Sequence, residues 1–218
     1  MDFLQYIFNP EWIFLKYGNL ALWILLLIVF AETGLLIGFF LPGDSLLFAA
    51  GIFGDLLCEN FYQAPFFVIM LLVTISAFLG NMAGYWFGSK SGKLLYKKKD
   101  TFFFKRRNLI MAKLFYKKYA GFALILSRFL PIFRTFSPII AGVVRMNLRS
   151  FILYNMLGAF LWVFSVMSAG HYLDKIFPKL KNHLEWVALS LIISTTLPVL
   201  LKLTRRKKKE KNLNKKSY

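Results

Sequence analysis

The chain has 218 residues, 58% of them hydrophobic, and its 28 lysines and arginines against 10 acidic residues give a formal charge of +18. This composition, with a mean hydropathy of +0.57, excludes an ordinary soluble globule and indicates a membrane protein. The basic residues cluster beside the apolar runs, as in the positive-inside pattern of membrane proteins, so no nucleic-acid partner is expected. One cysteine and two separated histidines exclude an internal disulfide and predict no metal site or cofactor.

The first quarter of the chain predicts an interfacial segment followed by a broken hairpin. Residues 1–18 lack the basic start of a cleaved signal peptide and predict an amphipathic segment at the membrane interface. Residues 20–54 contain two apolar arms separated by Pro42 and Gly43. The second arm is too short to cross about 30 Å of hydrocarbon, so we predict a re-entrant hairpin. The alternative, that residues 20–41 span the bilayer alone, stays open.

The middle of the chain predicts one transmembrane helix, a basic surface segment and a second hairpin. Residues 64–88 form a long apolar run, and the basic, aromatic residues 89–119 favour an amphipathic helix on the anionic cytoplasmic leaflet. Residues 120–144 begin and end beside basic residues. A single crossing there would place the basic C-terminal tail outside, so we predict a re-entrant hairpin with breaks at Pro131 and Pro138.

The last part of the chain predicts transmembrane helices at 150–172 and 184–203 and a basic cytoplasmic tail at 204–218. The acidic loop after the first hairpin is expected outside, so the two hairpins open to opposite faces, as in an inverted repeat. The predicted fold is therefore a single all-α integral membrane domain with transmembrane helices and two oppositely oriented re-entrant helical hairpins.

Four ionisable side chains lie at the predicted membrane depth: Glu32 and Asp44 in the first hairpin, and Arg128 and Arg134 in the second. Each charge costs about 2.5 to 3.5 kcal/mol at the centre of an inserting helix, so we expect these groups to meet one another or water between the hairpins. Carboxylates suit proton exchange, and arginines suit phosphate binding. Two structural alternatives stay open: the acids are only counter-ions of the arginines, or Asp44 caps the following helix.

Other small or polar residues in the apolar segments favour packing. Gly80, Gly84 and Gly88 are spaced four apart on one helix face, which is typical of close helix approach. Asn81 is interpreted as an interhelical hydrogen-bond donor and His171 as an interfacial histidine. No nucleophile lies at a useful spacing from a base, and no phosphatase signature surrounds the arginines, so an enzyme is not expected.

Residues 20–172 resemble the DedA family, relatives of the wider VTT-domain (SNARE-associated-type) membrane proteins. The resemblance rests on ETGLLIGFFLPGD followed by LLFAAG, on GNMAGYWFG, and on SRFLPIFRTFSPIIAGVVRM with the residues after it. In the last motif the matching positions are Arg128, Pro131, Arg134, Pro138, Ala141, Gly142, Met146, Phe151, Asn155, Gly158 and Trp162. The resemblance implies that the four ionisable residues above are the family's essential acids and arginines. Asn81 departs from the acidic residue expected there in many members.

The resemblance also implies a bacterial inner-membrane protein that supports envelope homeostasis by moving a lipid, either the undecaprenyl phosphate carrier or a phospholipid, with the proton motive force. The predicted function is therefore a translocase in which Arg128 and Arg134 bind the lipid phosphate while Glu32 and Asp44 exchange protons. Its expected partners are membrane lipids and protons, and a homo-oligomer is an option. The alternatives are a proton-coupled exporter of small ions or drugs and a non-transporting structural or assembly factor.

Overall fold

The computed structural model describes residues 10–35, 43–97, 114 and 121–176, and these ranges contain helices and no strand. The helices are α1 (Pro10–Tyr17), α2 (Asn19–Gly34), α3 (Gly43–Ile52), α4 (Gly54–Asn60), α5 (Phe66–Lys97), α6 (Pro131–Val143) and α7 (Leu148–Ile176). A further helical segment, residues 121–127, precedes α6. The all-α prediction is confirmed for the described residues.

Two of these helices, α5 and α7, are long and apolar enough to cross a bilayer. The apolar part of α5, Phe66–Gly92, has 27 residues and α7 has 29, so each extends about 40 Å, which exceeds the hydrocarbon thickness. Helices α2 and α3 have 16 and 10 residues and reach only about 24 and 15 Å. The predicted transmembrane helices 64–88 and 150–172 correspond to α5 and α7, whereas 184–203 and the tail lie outside the described residues.

Three element boundaries differ from the sequence prediction. Helix α5 continues to Lys97, into the predicted surface segment 89–119, because lysine and leucine are strong helix formers and cations stabilise a helix C-terminus. The predicted outer loop after the first hairpin contains α4, whose Leu57 is buried. The predicted interfacial segment contains α1, whose Phe14 is buried and stacks on Phe53 at 5.5 Å. Residues 1–9, 98–113 and 115–120 lie outside the described part.

The predicted second hairpin contains a turn at one of its two prolines and not at the other. Residues 128–130 form a turn between the helical segment 121–127 and α6, and Leu130 is extended with φ −115° and ψ 109°. Pro131 then begins α6, a position at which its missing N–H costs no helical hydrogen bond. The predicted break at Pro138 is wrong, because α6 continues through it to Val143. Packing of α6 against α5 holds the helix together there.

Glycines permit the closest contacts between helices. A Cβ on Gly34 of α2 would meet the backbone of Gly80 of α5 at 2.9 Å, and one on Gly51 of α3 would meet the Cα of Gly170 of α7 at 3.1 Å. Such contacts are typical of helix association in membranes. They attach the C-terminal end of α2 to α5 and the C-terminal end of α3 to α7.

The outer surface of the bundle carries many large apolar side chains. Examples with more than a third of their surface exposed are Trp23, Leu27, Leu79, Trp86, Phe122, Phe133, Phe136, Leu153 and Leu161. In water this surface would be an aggregation liability, whereas hydrocarbon solvates it well. The polar residues, in contrast, include twelve buried ones, Arg128, Arg134 and Glu32 among them.

Candidate functional site

The centre of the site is Arg134, which is held between two carboxylates. Its Nη2 forms an ion pair with Oε1 of Glu32, 102 residues away, and its Nη1 lies 2.5 Å from Oδ1 of Asp44, 90 residues away. Arg134 is 2% exposed and Glu32 4%. Asp44 lies in the first turn of α3, where the helix dipole stabilises a negative charge. Arg134 therefore links the end of α2, the start of α3 and the first turns of α6.

Two further side chains support this ion-pair triad. The indole Nε1 of Trp162 on α7 donates to Oδ1 of Asp44 at 3.2 Å, and the Trp162 ring centroid lies 4.6 Å from the Arg134 guanidinium carbon. The hydroxyl of Thr135 donates to the backbone carbonyl of Glu32 at 3.3 Å. A cation–π contact of this kind contributes about 1 to 2 kcal/mol when water is excluded. Trp162 thus contacts both the carboxylate and the guanidinium of the Asp44–Arg134 ion pair.

Arg128 has neutral partners instead of carboxylates. Its Nη2 donates to Oδ1 of Asn155 at 2.6 Å. With the Asn81 amide oriented to satisfy its neighbours, its oxygen accepts from the same Nη2 at 2.8 Å and its nitrogen donates to the Thr33 carbonyl at 3.0 Å. The amide of Asn155 also donates to the Phe78 carbonyl at 3.2 Å. Arg128 is 2% exposed, so two amides, and no acid among the described residues, hold a buried cation.

Buried donors of both arginines lack an acceptor within the described ranges. They are Nη1 of Arg128 and Nε of Arg134. A buried donor without an acceptor costs about 1 to 3 kcal/mol, and more when the group is charged. These N–H groups are therefore available to the oxygens of a bound anion.

Glycines make room for two of the four ionisable side chains. A Cβ on Gly158 of α7 would lie 3.0 Å from Cδ of Arg128. A Cβ on Gly43 would overlap the carboxylate of Glu32. Gly43, which was predicted as a hairpin break, begins α3 and also leaves space for this acid, while Pro42 lies outside the described residues.

The structure brings three of the four predicted ionisable residues into direct contact and places the fourth apart. Glu32 and Asp44 both contact Arg134, whereas Arg128 contacts amides. The alternative in which the acids serve only as counter-ions therefore concerns Arg134 and not Arg128. Asp44 lies inside α3 rather than ahead of it, and its Oδ1 is directed to side chains of α6 and α7.

The other predicted residues lie around the site or away from it. Gly80 and Gly84 face α2, and Gly88 faces the backbone of Ile139 in α6. The His171 ring stacks on Phe66 with 4.6 Å between centroids, outside the polar site.

No role was predicted for Asn155 and Trp162. Asn81 was predicted only as an interhelical hydrogen-bond donor, and its contact with the Thr33 carbonyl of α2 confirms that prediction. A signal for the first two was present in the sequence. Phe151, Asn155, Gly158 and Trp162 are spaced four, three and four apart, which places them on one face of a helix. This face of α7 is buried. A polar amide on the buried face of an apolar helix indicates an interhelical contact.

The chemistry available to this site is proton exchange and anion binding. The described residues contain no group of three or more metal-ligating side chains. Protonation of a carboxylate on Arg134 would end its ion pair and release guanidinium N–H donors. An anion that accepts from the same donors would compete with the carboxylates, so proton uptake and anion binding favour each other.

The chain is similar to known proteins over most of its length. The VTT domain matches residues 41–172. Protein DedA of Escherichia coli (strain K12) is 37% identical over 193 residues, which cover 88% of this chain and 86% of that protein. Inner membrane protein YghB of Salmonella typhimurium is 32% identical over 183 residues, covering 79% of this chain and 75% of that protein. Inner membrane protein YqjA of Escherichia coli (strain K12) is 31% identical over 182 residues, with 81% and 76% covered.

No solved structure matches the chain. The names of YghB and YqjA place these two relatives in an inner membrane, and this chain has two helices long enough to span one. The chain belongs to the DedA family of VTT-domain membrane proteins.

Proposed function

We propose that this chain translocates a phosphate-bearing lipid, undecaprenyl phosphate or a phospholipid, across the bacterial inner membrane with the help of the proton motive force, and so supports envelope homeostasis. Arg128 and Arg134 bind the phosphate, and Glu32 and Asp44 exchange protons. The observation that carries this proposal is the position of Arg134 between two carboxylates in the interior of an apolar bundle.

The triad supports a release-and-capture cycle. While both carboxylates are ionised, both Nη groups of Arg134 bind them and the charge of Arg134 is compensated, so Arg134 attracts a phosphate only weakly. When a carboxylate takes up a proton, the donors become free and the phosphate replaces the lost negative charge. Loss of the proton restores the ion pair and expels the phosphate.

Arg128 supports the same cycle in a different way. Because its partners Asn81 and Asn155 are neutral, Arg128 retains its positive charge whatever the protonation state of the acids. Its Nη1 has no acceptor in the described part of the chain. Arg128 thus serves as the permanent anchor of the headgroup, and Arg134 as the contact that depends on protons.

Helix α6 favours a lipid over a free ion. It buries Arg134 and Thr135 inside the bundle, and it exposes Phe133 and Phe136 on the outer surface. A lipid that binds here can direct its phosphate to the arginines and leave its apolar chain in the bilayer.

The proposed topology follows from the helix lengths. Helices α2 and α3 are too short to span, and the turn at 128–130 divides the second hairpin into two short arms. We therefore place both as re-entrant hairpins, open to opposite faces as in an inverted repeat, in a multi-pass protein with its C-terminus in the cytoplasm.

The test is reconstitution into liposomes with a fluorescent polyprenyl phosphate and a fluorescent phosphatidylglycerol. Wild type is expected to move at least one of them across the bilayer. Arg134→Ala is expected to slow this movement at least about tenfold, because one charged hydrogen bond contributes about 1.5 to 3 kcal/mol. Arg149→Ala is the matched control, since Arg149 is exposed and lies outside the site.

If folded wild-type protein moves neither lipid, the translocase proposal is wrong and the ion-exporter alternative gains support. The structural alternative makes a separate prediction. Since Glu32 and Asp44 both pair with Arg134, it requires that the triple exchange Glu32→Gln, Asp44→Asn and Arg134→Gln, which removes the three charges together, preserves activity. The translocase requires that this exchange abolishes it.

A further inference from the structure

The charges of the buried site sum to zero. In the described part of the chain, the ionisable groups that face the site are Glu32 from α2, Asp44 from α3, Arg128 from the turn at 128–130 and Arg134 from α6. Helices α5 and α7 contribute the neutral groups Asn81, Asn155 and Trp162. The segment that joins α2 to α3, LIGFFLP at 36–42, contains no ionisable residue. Two cations therefore face two anions.

A bound anion would disturb this balance. An uncompensated charge in a low-dielectric interior is strongly unfavourable, and buried groups change protonation to avoid it. Each negative charge brought in by a headgroup leaves the site with an excess negative charge unless one carboxylate takes up a proton. The described residues of the site include two carboxylates, so these can compensate two negative charges and no more.

We infer that each negative charge on the lipid headgroup enters this site together with one proton, so that translocation is electroneutral and is driven by a pH difference but not by a membrane potential. This inference rests on the proposed function and specifies its substrate class. A phosphodiester headgroup is therefore expected to cross together with one proton, and a doubly ionised phosphomonoester together with two. A diphosphate headgroup with three negative charges exceeds the capacity of the site and is excluded.

The two carboxylates differ in their access to protons. The Asp44 side chain is 30% exposed, whereas that of Glu32 is 5% exposed. Both contact the same guanidinium, so a proton that reaches Asp44 releases one side of Arg134. Asp44 is therefore the route by which protons enter the site from water. A phosphodiester requires that one of the two carboxylates takes up a proton, and a dianion requires that both do.

The experiment uses the full chain in liposomes with a fluorescent phosphatidylglycerol, whose phosphodiester carries one negative charge. In one arm, a difference of one pH unit is imposed while valinomycin and equal potassium hold the potential at zero. In the other arm, a potassium diffusion potential is imposed at equal pH. A phosphatidylcholine analogue with the same acyl chains and no net charge is the matched probe, and protein-free liposomes give the background.

With one proton per lipid, the pH difference is expected to accumulate phosphatidylglycerol about tenfold in the alkaline leaflet, since one pH unit corresponds to a factor of ten in proton activity. The potential alone is expected to produce no asymmetry, and phosphatidylcholine is expected to show none in either arm.

If the potential moves phosphatidylglycerol and the pH difference does not, electroneutral coupling is wrong while lipid translocation stands. If phosphatidylglycerol equilibrates without responding to either gradient, coupling is also wrong. If neither fluorescent polyprenyl phosphate nor phosphatidylglycerol moves under any condition, the proposed function itself fails.

A variant tests the charge count of the site. With Asp44→Asn, the site keeps two arginines and one carboxylate and can accept a single negative charge without a proton. Phosphatidylglycerol is then expected to lose its pH-driven asymmetry and to respond to the potential. Asp55→Asn, an exposed acid on α4, should behave as wild type. An Asp44→Asn protein that still builds the tenfold asymmetry contradicts this charge count.

Discussion

The two buried arginines are chemically unequal although they are the same residue type. Arg134 contacts two carboxylates, and Arg128 contacts two amides. An amide oxygen accepts from an N–H donor but brings no negative charge into contact with the guanidinium, whereas a carboxylate does both. The surroundings of each guanidinium, and not its identity, therefore decide how strongly it attracts an anion.

This difference predicts the effect of Asn155→Asp. The new carboxylate would accept from Arg128 and neutralise it, so we expect a folded protein whose movement of phosphatidylglycerol is slowed about tenfold or more. Translocation in liposomes and thermal unfolding in detergent measure the two effects. Asn147→Asp is the matched control, because Asn147 accepts from the backbone N–H of Arg149 at the start of α7 and aspartate serves there equally well. Wild-type rates in the Asn155→Asp protein would show that Arg128 has only a structural role.

The four ionisable residues could be found from the sequence because charges are costly at membrane depth. The sequence could not predict which acid pairs with which arginine. Glu32 and Arg134 are 102 residues apart, and either arginine has the donors that a carboxylate needs. The amide side chains were harder to assign. Asn81 and Asn155 have uncharged donors and acceptors that fit packing as well as ligand support, and only their contacts with Arg128 identify the second role.

Helix packing here depends on where two backbones meet. Gly80 and Gly84 lie on the same face of α5, but their surroundings differ. A Cβ on Gly80 would lie 2.6 Å from the Phe30 carbonyl oxygen and 3.2 Å from the Gly34 nitrogen. A Cβ on Gly84 would make ordinary contacts, 3.4 Å from the Gly34 oxygen and 3.6 Å from Ile139. Glycines on the same helix face thus differ in whether they tolerate a larger side chain.

We therefore expect Gly80→Ala to destabilise the protein by about 1 to 3 kcal/mol, since overpacking forces backbone shifts. The midpoint of thermal unfolding in detergent should fall by about 2 to 4 °C per kcal/mol. Gly84→Ala should leave this midpoint unchanged or raise it, because alanine favours the helix over glycine by up to about 1 kcal/mol. Because α2 ends at the Gly34 contact, Gly80→Ala should also slow lipid movement by displacing Glu32. Equal losses of stability in both variants would contradict this view of the interface.

Helix ends show which sequence signals were reliable. Pro131 ends one arm and begins α6, as its fixed φ and missing N–H predict. Pro138 has the same chemistry but lies within α6, because contacts along the helix outweigh the loss of one hydrogen bond. The acidic stretch after α3 was predicted as a loop, yet packing of Leu57 into the core makes it the helix α4. Local composition does not report such tertiary contacts.

The orientation of the bundle in the membrane can be measured through one native side chain. Cys58 is the only cysteine of the chain, lies on α4 outside the two spanning helices, and is partly exposed. The proposed topology places it on the outer face of the inner membrane.

Burial, and then the neighbouring Asp55 and Glu59 carboxylates, raise the pKa of the Cys58 thiol. The thiolate is the reactive form, so a membrane-impermeant maleimide should label Cys58 in intact spheroplasts more slowly than a free thiol at neutral pH. The rate should rise about tenfold per pH unit until the pH reaches the raised pKa. Mass spectrometry of the labelled protein measures this rate, and Cys58→Ser is the negative control. Labelling only after the membrane is opened would place α4 in the cytoplasm and invert the proposed topology.

The sequence by itself determined the class of protein, its helical nature, two of the three predicted helices as long and apolar enough to span, the turn at Pro131 and the four ionisable residues of the site. These features depend on the local cost of placing charges, prolines and polar backbone in hydrocarbon, and that cost can be read residue by residue. Only the tertiary structure decided that Arg134 contacts both acids, that Arg128 is held by Asn81 and Asn155, and that Trp162 joins the triad. Those contacts join residues far apart in the chain, and they depend on how closely the glycine-lined helices pack, which no local pattern records.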